Sequence, residues 1–95
     1  MSKAIIMNSG DNVATLLNEI KTNEEVNIVS TKTEVVKKLK AKQDIHMGHK
    51  ISIVDIKKGE PVRKFGEPFG LAIKEIETGE HVHVHNVISN IGKAK

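Results

Sequence analysis

The sequence predicts a mainly β protein with one short helix, an α+β fold in a single domain spanning residues 1–95. Three observations carry this. Short blocks rich in Val and Ile alternate with Gly, Asn and Pro turns along most of the chain. One turn pattern, I-x-x-[G/N]-E-x-V, occurs at Ile20–Val26, Ile56–Val62 and Ile76–Val82. One segment, 12–20, has the spacing of a full helical face.

In chain order, 3–7 (KAIIM) reads as a strand and Asn8-Ser9-Gly10 as a turn. Asp11 reads as an N-cap, and Val13, Leu16, Leu17 and Ile20 fall at i, i+3, i+4 and i+7 of the helix that follows. Val26, Ile28 and Val29 form a strand, and 31–33 a loop. Residues 34–43 suit either a helix or an edge strand with a lysine face, and the surrounding strand pattern favours the strand. His46–His49 is a turn, Ile51 to Ile56 a strand region, and 57–61 and 65–70 are turn-rich. Leu71 to Ile76 lead into the turn at Thr78-Gly79-Glu80, and His81 to Val87 reads as an alternating strand. The domain core is expected at about 4–88, with a frayed polar tail at 89–95. In the repeated turn, Gly or Asn supplies the left-handed residue between an apolar anchor and a strand. The spacings of 36 and 20 rule out a solenoid of fixed period.

Composition narrows the function. Cys is absent, so disulfides, thiolate zinc sites and cysteine nucleophiles are excluded. Two Phe and no Tyr or Trp leave a core of Ile, Val, Leu and Met, and too few rings for base stacking. The net charge of +3 comes from lysine with a single arginine, Arg63, which argues against nucleic-acid recognition. Five of the lysines lie in the stretch 32–42, which reads as a solvated face. No apolar run is long enough for a signal peptide or a membrane span, so a cytoplasmic protein that binds no membrane is expected.

Two segments could carry chemistry. In His81-Val82-His83-Val84-His85-Asn86, a period of two would set the imidazoles on one face, alternate residues about 6–7 Å apart. Such imidazoles could converge on a metal; the plainer alternative is a solvated edge strand. In His46-Met47-Gly48-His49-Lys50, Lys50 could hold a carboxylate, and His49 could bind metal or move a proton. The plainer alternative there is a polar loop.

Together these residues resemble a known family. Asp11-Asn12-Val13-Ala14, Gly48-His49-Lys50-Ile51, Asp55-Ile56-x-x-Gly59-Glu60-Pro61-Val62, Phe65-Gly66-Glu67, Gly70-x-Ala72 and Gly79-Glu80-His81-Val82-His83-Val84-His85-Asn86-Val87 occur in that order. They resemble the N-terminal SAF domain of the altronate/galactarate dehydratase family over about residues 4–88. The GHK and GEHVHVHN segments are the specific part. The resemblance implies a compact, β-clip-like SAF domain and a hydro-lyase that dehydrates sugar acids with a divalent metal, iron(II) first and manganese(II) second. A related branch removes sulfite from sulfolactate. The chain covers the SAF domain alone, so it is expected to be a small subunit or N-terminal domain, inactive without a large catalytic subunit, with self-assembly left open.

Carried over by motif, His49 and Lys50 are the catalytic candidates, Lys50 and Asn86 bind substrate, and His83 and His85 ligate the metal. Removal of the α-proton and departure of the β-hydroxyl would follow Lewis-acid stabilisation of the enolate. Where many relatives have His-Pro ahead of x-D-N-V, this chain has Met7-Asn8-Ser9-Gly10, so any role of that histidine is absent. His46 lies outside the shared pattern. A free-standing module binding a carbohydrate-like ligand or metal without catalysis is the competing reading.

Overall fold

The computed structural model describes residues 2–89, and from residue 90 onward the expected tail lies outside the described residues. These residues form nine strands: β1 Ser2–Ile5, β2 Val13–Leu16, β3 Glu25–Val29, β4 Val35–Lys40, β5 Lys50–Ser52, β6 Pro61–Lys64, β7 Glu67–Ala72, β8 His81–Val82 and β9 Val87–Ile88. A six-stranded sheet has the order β4-β3-β1-β2-β5-β8, and a three-stranded sheet the order β6-β7-β9. All pairings are antiparallel except β1 with β3.

The helix expected over 12–20 is absent, and no helix occurs among the described residues. The fold is all-β, not α+β. The segment's first half is β2, hydrogen-bonded between β1 and β5. A strand with neighbours on both sides and layers on both faces buries both faces. Val13 enters one core cluster while Ala14 and Leu16 enter the other. That two-sided burial imitates helical spacing over a few residues; Leu17, which a helix would bury, is exposed. The expected N-cap, Asp11, is instead a buried loop clamp. Its Oδ2 accepts the Met7 and Asn8 amides, at 3.1 and 3.2 Å, and its Oδ1 accepts the Gly66 amide at 2.6 Å. It thereby ties the β6–β7 hairpin tip, Phe65-Gly66, to the loop after β1.

Segment 34–43 is the edge strand β4, with Leu39 turned inward and Lys37, Lys38 and Lys40 exposed. Lysine on an unpaired edge opposes edge-to-edge aggregation. The core is Ile, Val, Leu and Ala; Met7 and Met47 are exposed rather than buried. One cluster lies on the six-stranded sheet, from Ala4 to Ile53. The second joins Val13 and Val82 of that sheet to Val62, Ala72 and Val87 of the smaller one.

The repeated turn is the fold's framework, and it occurs four times, not three. The copies are 16–26, 41–51, 52–62 and 72–82, eleven residues each. The left-handed residues are Asn23 (φ 72°), Gly48 (86°), Gly59 (90°) and Gly79 (95°). The copies pair in twos. Asn23 N donates to Ala41 O and Ala41 N to Glu24 O; reciprocally, Gly48 N donates to Leu16 O and Leu16 N to His49 O. Gly59 with Ala72 and Glu60, and Gly79 with Ser52 and Glu80, repeat this scheme. Ile20 bridges Ile45, and Ile56 bridges Ile76. All four are at most 2% exposed, each such burial stabilising by about 1.5–3 kcal/mol. Thr22 donates through its backbone and hydroxyl to Asp44, as Thr78 does to Asp55.

Candidate functional site

In three copies of the turn, the glutamate after the left-handed residue caps the backbone. Glu24 accepts the Lys21 amide at 2.7 Å, Glu60 the Lys57 amide and Glu80 the Glu77 amide, both at 2.8 Å. In the copy at 41–51 this position is His49. Its imidazole turns instead to His81, with Nδ1 to Nε2 at 2.9 Å. The pattern I-x-x-[G/N]-E-x-V does not capture this copy, because His49 stands for Glu and Ile51 for Val. The signal available in the sequence was the shared Asp-Ile-x-x-Gly of 44–48 and 55–59.

Pairing of β5 with β8 joins the two histidine segments, Lys50 opposite Val82 and Ile51 opposite His81. One step along, His49 meets His83, rings stacked at 5.2 Å and 15°. His81 lies 5.0 Å from His49 and 5.4 Å from both His83 and His85. His46 meets His49 edge-on at 6.0 Å. All five histidines of the chain are therefore linked ring to ring. His46, set aside as local in the sequence reading, belongs to the group, and His81, left out of the ligand set, is its hub.

The alternating strand expected over 81–87 is interrupted. β8 ends at Val82, the chain turns through 83–86, and Val84 is exposed. Asn86 closes the turn: its Oδ1 accepts the His83 amide at 3.0 Å and its Nδ2 donates to His81 O at 2.9 Å. Asn86 is fully buried, so its amide shapes the turn that carries His83 and His85. Gln43 fixes the other end, its Oε1 accepting the His81 amide at 2.7 Å.

Lys50 points to the opposite face from His49, as strand alternation requires. Its ammonium lies 5.7 Å from the Phe69 ring centre. Lys50, Phe69, Val82, His83, Val84, Val87 and Ser89 line a pocket of about 240 Å3. His83 thus belongs to both the histidine group and the lysine pocket. Lys50 is held below the ordinary lysine pKa by burial, and further by the Lys64 ammonium.

His81 is pushed down from 6.5 to about 4, chiefly by burial and then by His49 and the other imidazoles. It stays neutral at neutral pH, while an unfolded chain would bind a proton there below about 6.5. Because the folded-state pKa is the lower one, acid favours unfolding. The contribution is intact above pH 6.5 and is lost as pH falls toward 4. Denaturation midpoints are expected to drop between pH 7 and pH 4.5, and His81→Gln to shrink that drop; an identical drop in the variant would contradict the assignment. Among the described residues, no three His, Asp or Glu side chains are placed to hold a metal ion together.

The altronate/galactarate dehydratase SAF domain model matches residues 2–90. The chain belongs to this family. As a SAF domain it is 36% identical over 96% of its length to altronate dehydratase of Bacillus subtilis, and 37% over 85% to that of Escherichia coli. It spans only 17% and 15% of those two proteins. It is also 43% identical to the (2R)-sulfolactate sulfo-lyase subunit alpha of Paracoccus pantotrophus, over 52% of this chain and 73% of that one. The SAF domain here is all-β among its described residues, with both histidine segments at one sheet edge.

Proposed function

We propose that this SAF domain serves a metal-dependent sugar-acid dehydratase, a cytoplasmic hydro-lyase, as its small subunit or N-terminal domain, and is inactive without a large catalytic portion. The observation that carries the reading is the meeting of five imidazoles with the Lys50 pocket at the β5–β8 edge. Neutral imidazole suits a divalent transition metal, and the half-buried, neutral His81 shows that this edge favours the neutral form. His83 and His85 would hold iron(II), or manganese(II) in its place, the remaining ligands coming from the large portion. Such a metal supplies Lewis-acid stabilisation of negative charge at the substrate. Lys50 holds the substrate carboxylate over Phe69, His83 borders that pocket, and His49, paired to His81, moves a proton. Asn86 sets the turn that aims His83 and His85.

A second reading, sulfite elimination from a sulfo-acid, draws support from the similarity to the sulfo-lyase subunit alpha. One experiment separates them. The chain is purified with its large partner from source cells and assayed with iron(II) on altronate, galactarate and (2R)-sulfolactate. Turnover of a sugar acid supports the dehydratase; turnover of sulfolactate alone supports the second reading. His85→Ala is expected to lower both turnover and bound metal at least tenfold. Undiminished turnover and metal content in that variant would sink the ligand assignment. A folded chain without a partner, active on none of the acids, would favour the binding module.

A further inference from the structure

Among the described residues, the two most exposed large apolar side chains are Val84 at 79% and Met47 at 66%. Each sits inside a histidine turn, Met47 in His46-Met47-Gly48-His49 and Val84 in His83-Val84-His85-Asn86. The stacking of His49 on His83, ring centres 5.2 Å apart, sets the two turns side by side. Neither turn holds a Lys, Arg, Asp or Glu, although these make up 28% of the chain. Protein interfaces have this composition at their centres: apolar anchors and few charges. One exposed apolar side chain is ordinary, but two beside a group of imidazoles form a surface suited to a partner. The surface runs on into the Lys50 pocket, whose wall includes Val84 and the half-buried Phe69.

What covers this surface follows from what the site lacks. Among the described residues, no three His, Asp or Glu side chains are placed to hold a metal ion together. The chain also spans only a small part of the dehydratases it matches. A body that brings further ligands to His83 and His85 must come in over Val84, which lies between them in the exposed turn.

We propose that Met47 and Val84 are the anchors on which the large catalytic portion of the dehydratase seats, each filling an apolar socket in that portion while the imidazoles between them face its ligands. This rests on the reading of the chain as one part of such an enzyme, and it assigns two residues that carry no chemistry of their own. Met47, unbranched and flexible, adapts to the socket it meets. Covering both side chains excludes water from the rim of the site.

The test uses the complex with the large partner, purified from source cells and recognised by its turnover of altronate, galactarate or (2R)-sulfolactate. A fluorescently labelled wild-type chain in that complex is displaced by unlabelled variants of the 95-residue chain. Met47→Ser and Val84→Ser are each expected to compete about tenfold less well than wild type, the order of truncating an interface anchor. Met7→Ser and Val36→Ser are expected to compete as wild type. Those two side chains are also exposed, at 48% and 51%, but line a separate pocket beside β4, at the far edge of the sheet from β8. Urea midpoints report that each variant is folded. Wild-type competition by either Met47→Ser or Val84→Ser overturns the proposal and leaves the two-part enzyme standing. Equal weakening by all four variants overturns it too. The chain alone is expected to sediment as a monomer; a dimer that either substitution dissolves would give the surface to a second copy and overturn the proposal. Absence of any partner that converts one of the acids overturns both the proposal and the reading beneath it.

Discussion

Gly79→Ala is expected to lower stability by about 3 kcal/mol or more, while Gly59→Ala lowers it by about 1 kcal/mol. The two glycines hold the same position in paired copies of the turn, at φ 95° and 90°. Both substitutions carry the penalty of a side chain in left-handed backbone. The surroundings differ. A Cβ on Gly59 meets nothing within 4 Å, whereas on Gly79 it would lie 2.3 Å from the Lys40 carbonyl oxygen. That oxygen is backbone at the end of β4, in a segment tied to the turn by Lys42 N donating to Gly79 O at 2.8 Å. It cannot swing aside as a flexible side chain would. Urea midpoints of the two variants check this. Equal losses would mean that backbone conformation alone sets the penalty.

Asn86→Ala is expected to cost about 2 kcal/mol, since it strands two part-buried backbone groups, the His83 amide and the His81 carbonyl, at about 1 kcal/mol each. The His83 and His85 ring signals are expected to shift with it, because the turn that aims them loses its clamp. If Asn86 instead acts only on substrate, stability changes by less than about 0.5 kcal/mol, the range of substitutions that touch no packing or hydrogen bond. Chemical unfolding with histidine proton spectra distinguishes the two.

The edge strand β4 was legible because Lys38 and Lys40 flank the inward Leu39, a local two-period signal that does not extend to Val35, which is exposed. The segment 12–20 was misread because β2 is wet on neither face, so its residues carry no alternation to see. Both histidine segments were legible as chemistry. Their union was not: β5 and β8 lie about thirty residues apart, and pairing at that range leaves no local trace. His81 was passed over for the same reason, since it becomes the hub only once His49 arrives from the other strand.

The exchange of glutamate for histidine at position 49 has a dynamic side. Three turns of the framework are latched by a carboxylate on their own backbone, and the fourth has given that latch up to His81. Brief local openings concentrate where such latches are missing. The loop at 46–49 is therefore expected to open more readily than the other three turns, letting the histidines it carries adjust to an arriving ligand while the lattice of buried isoleucines stays shut.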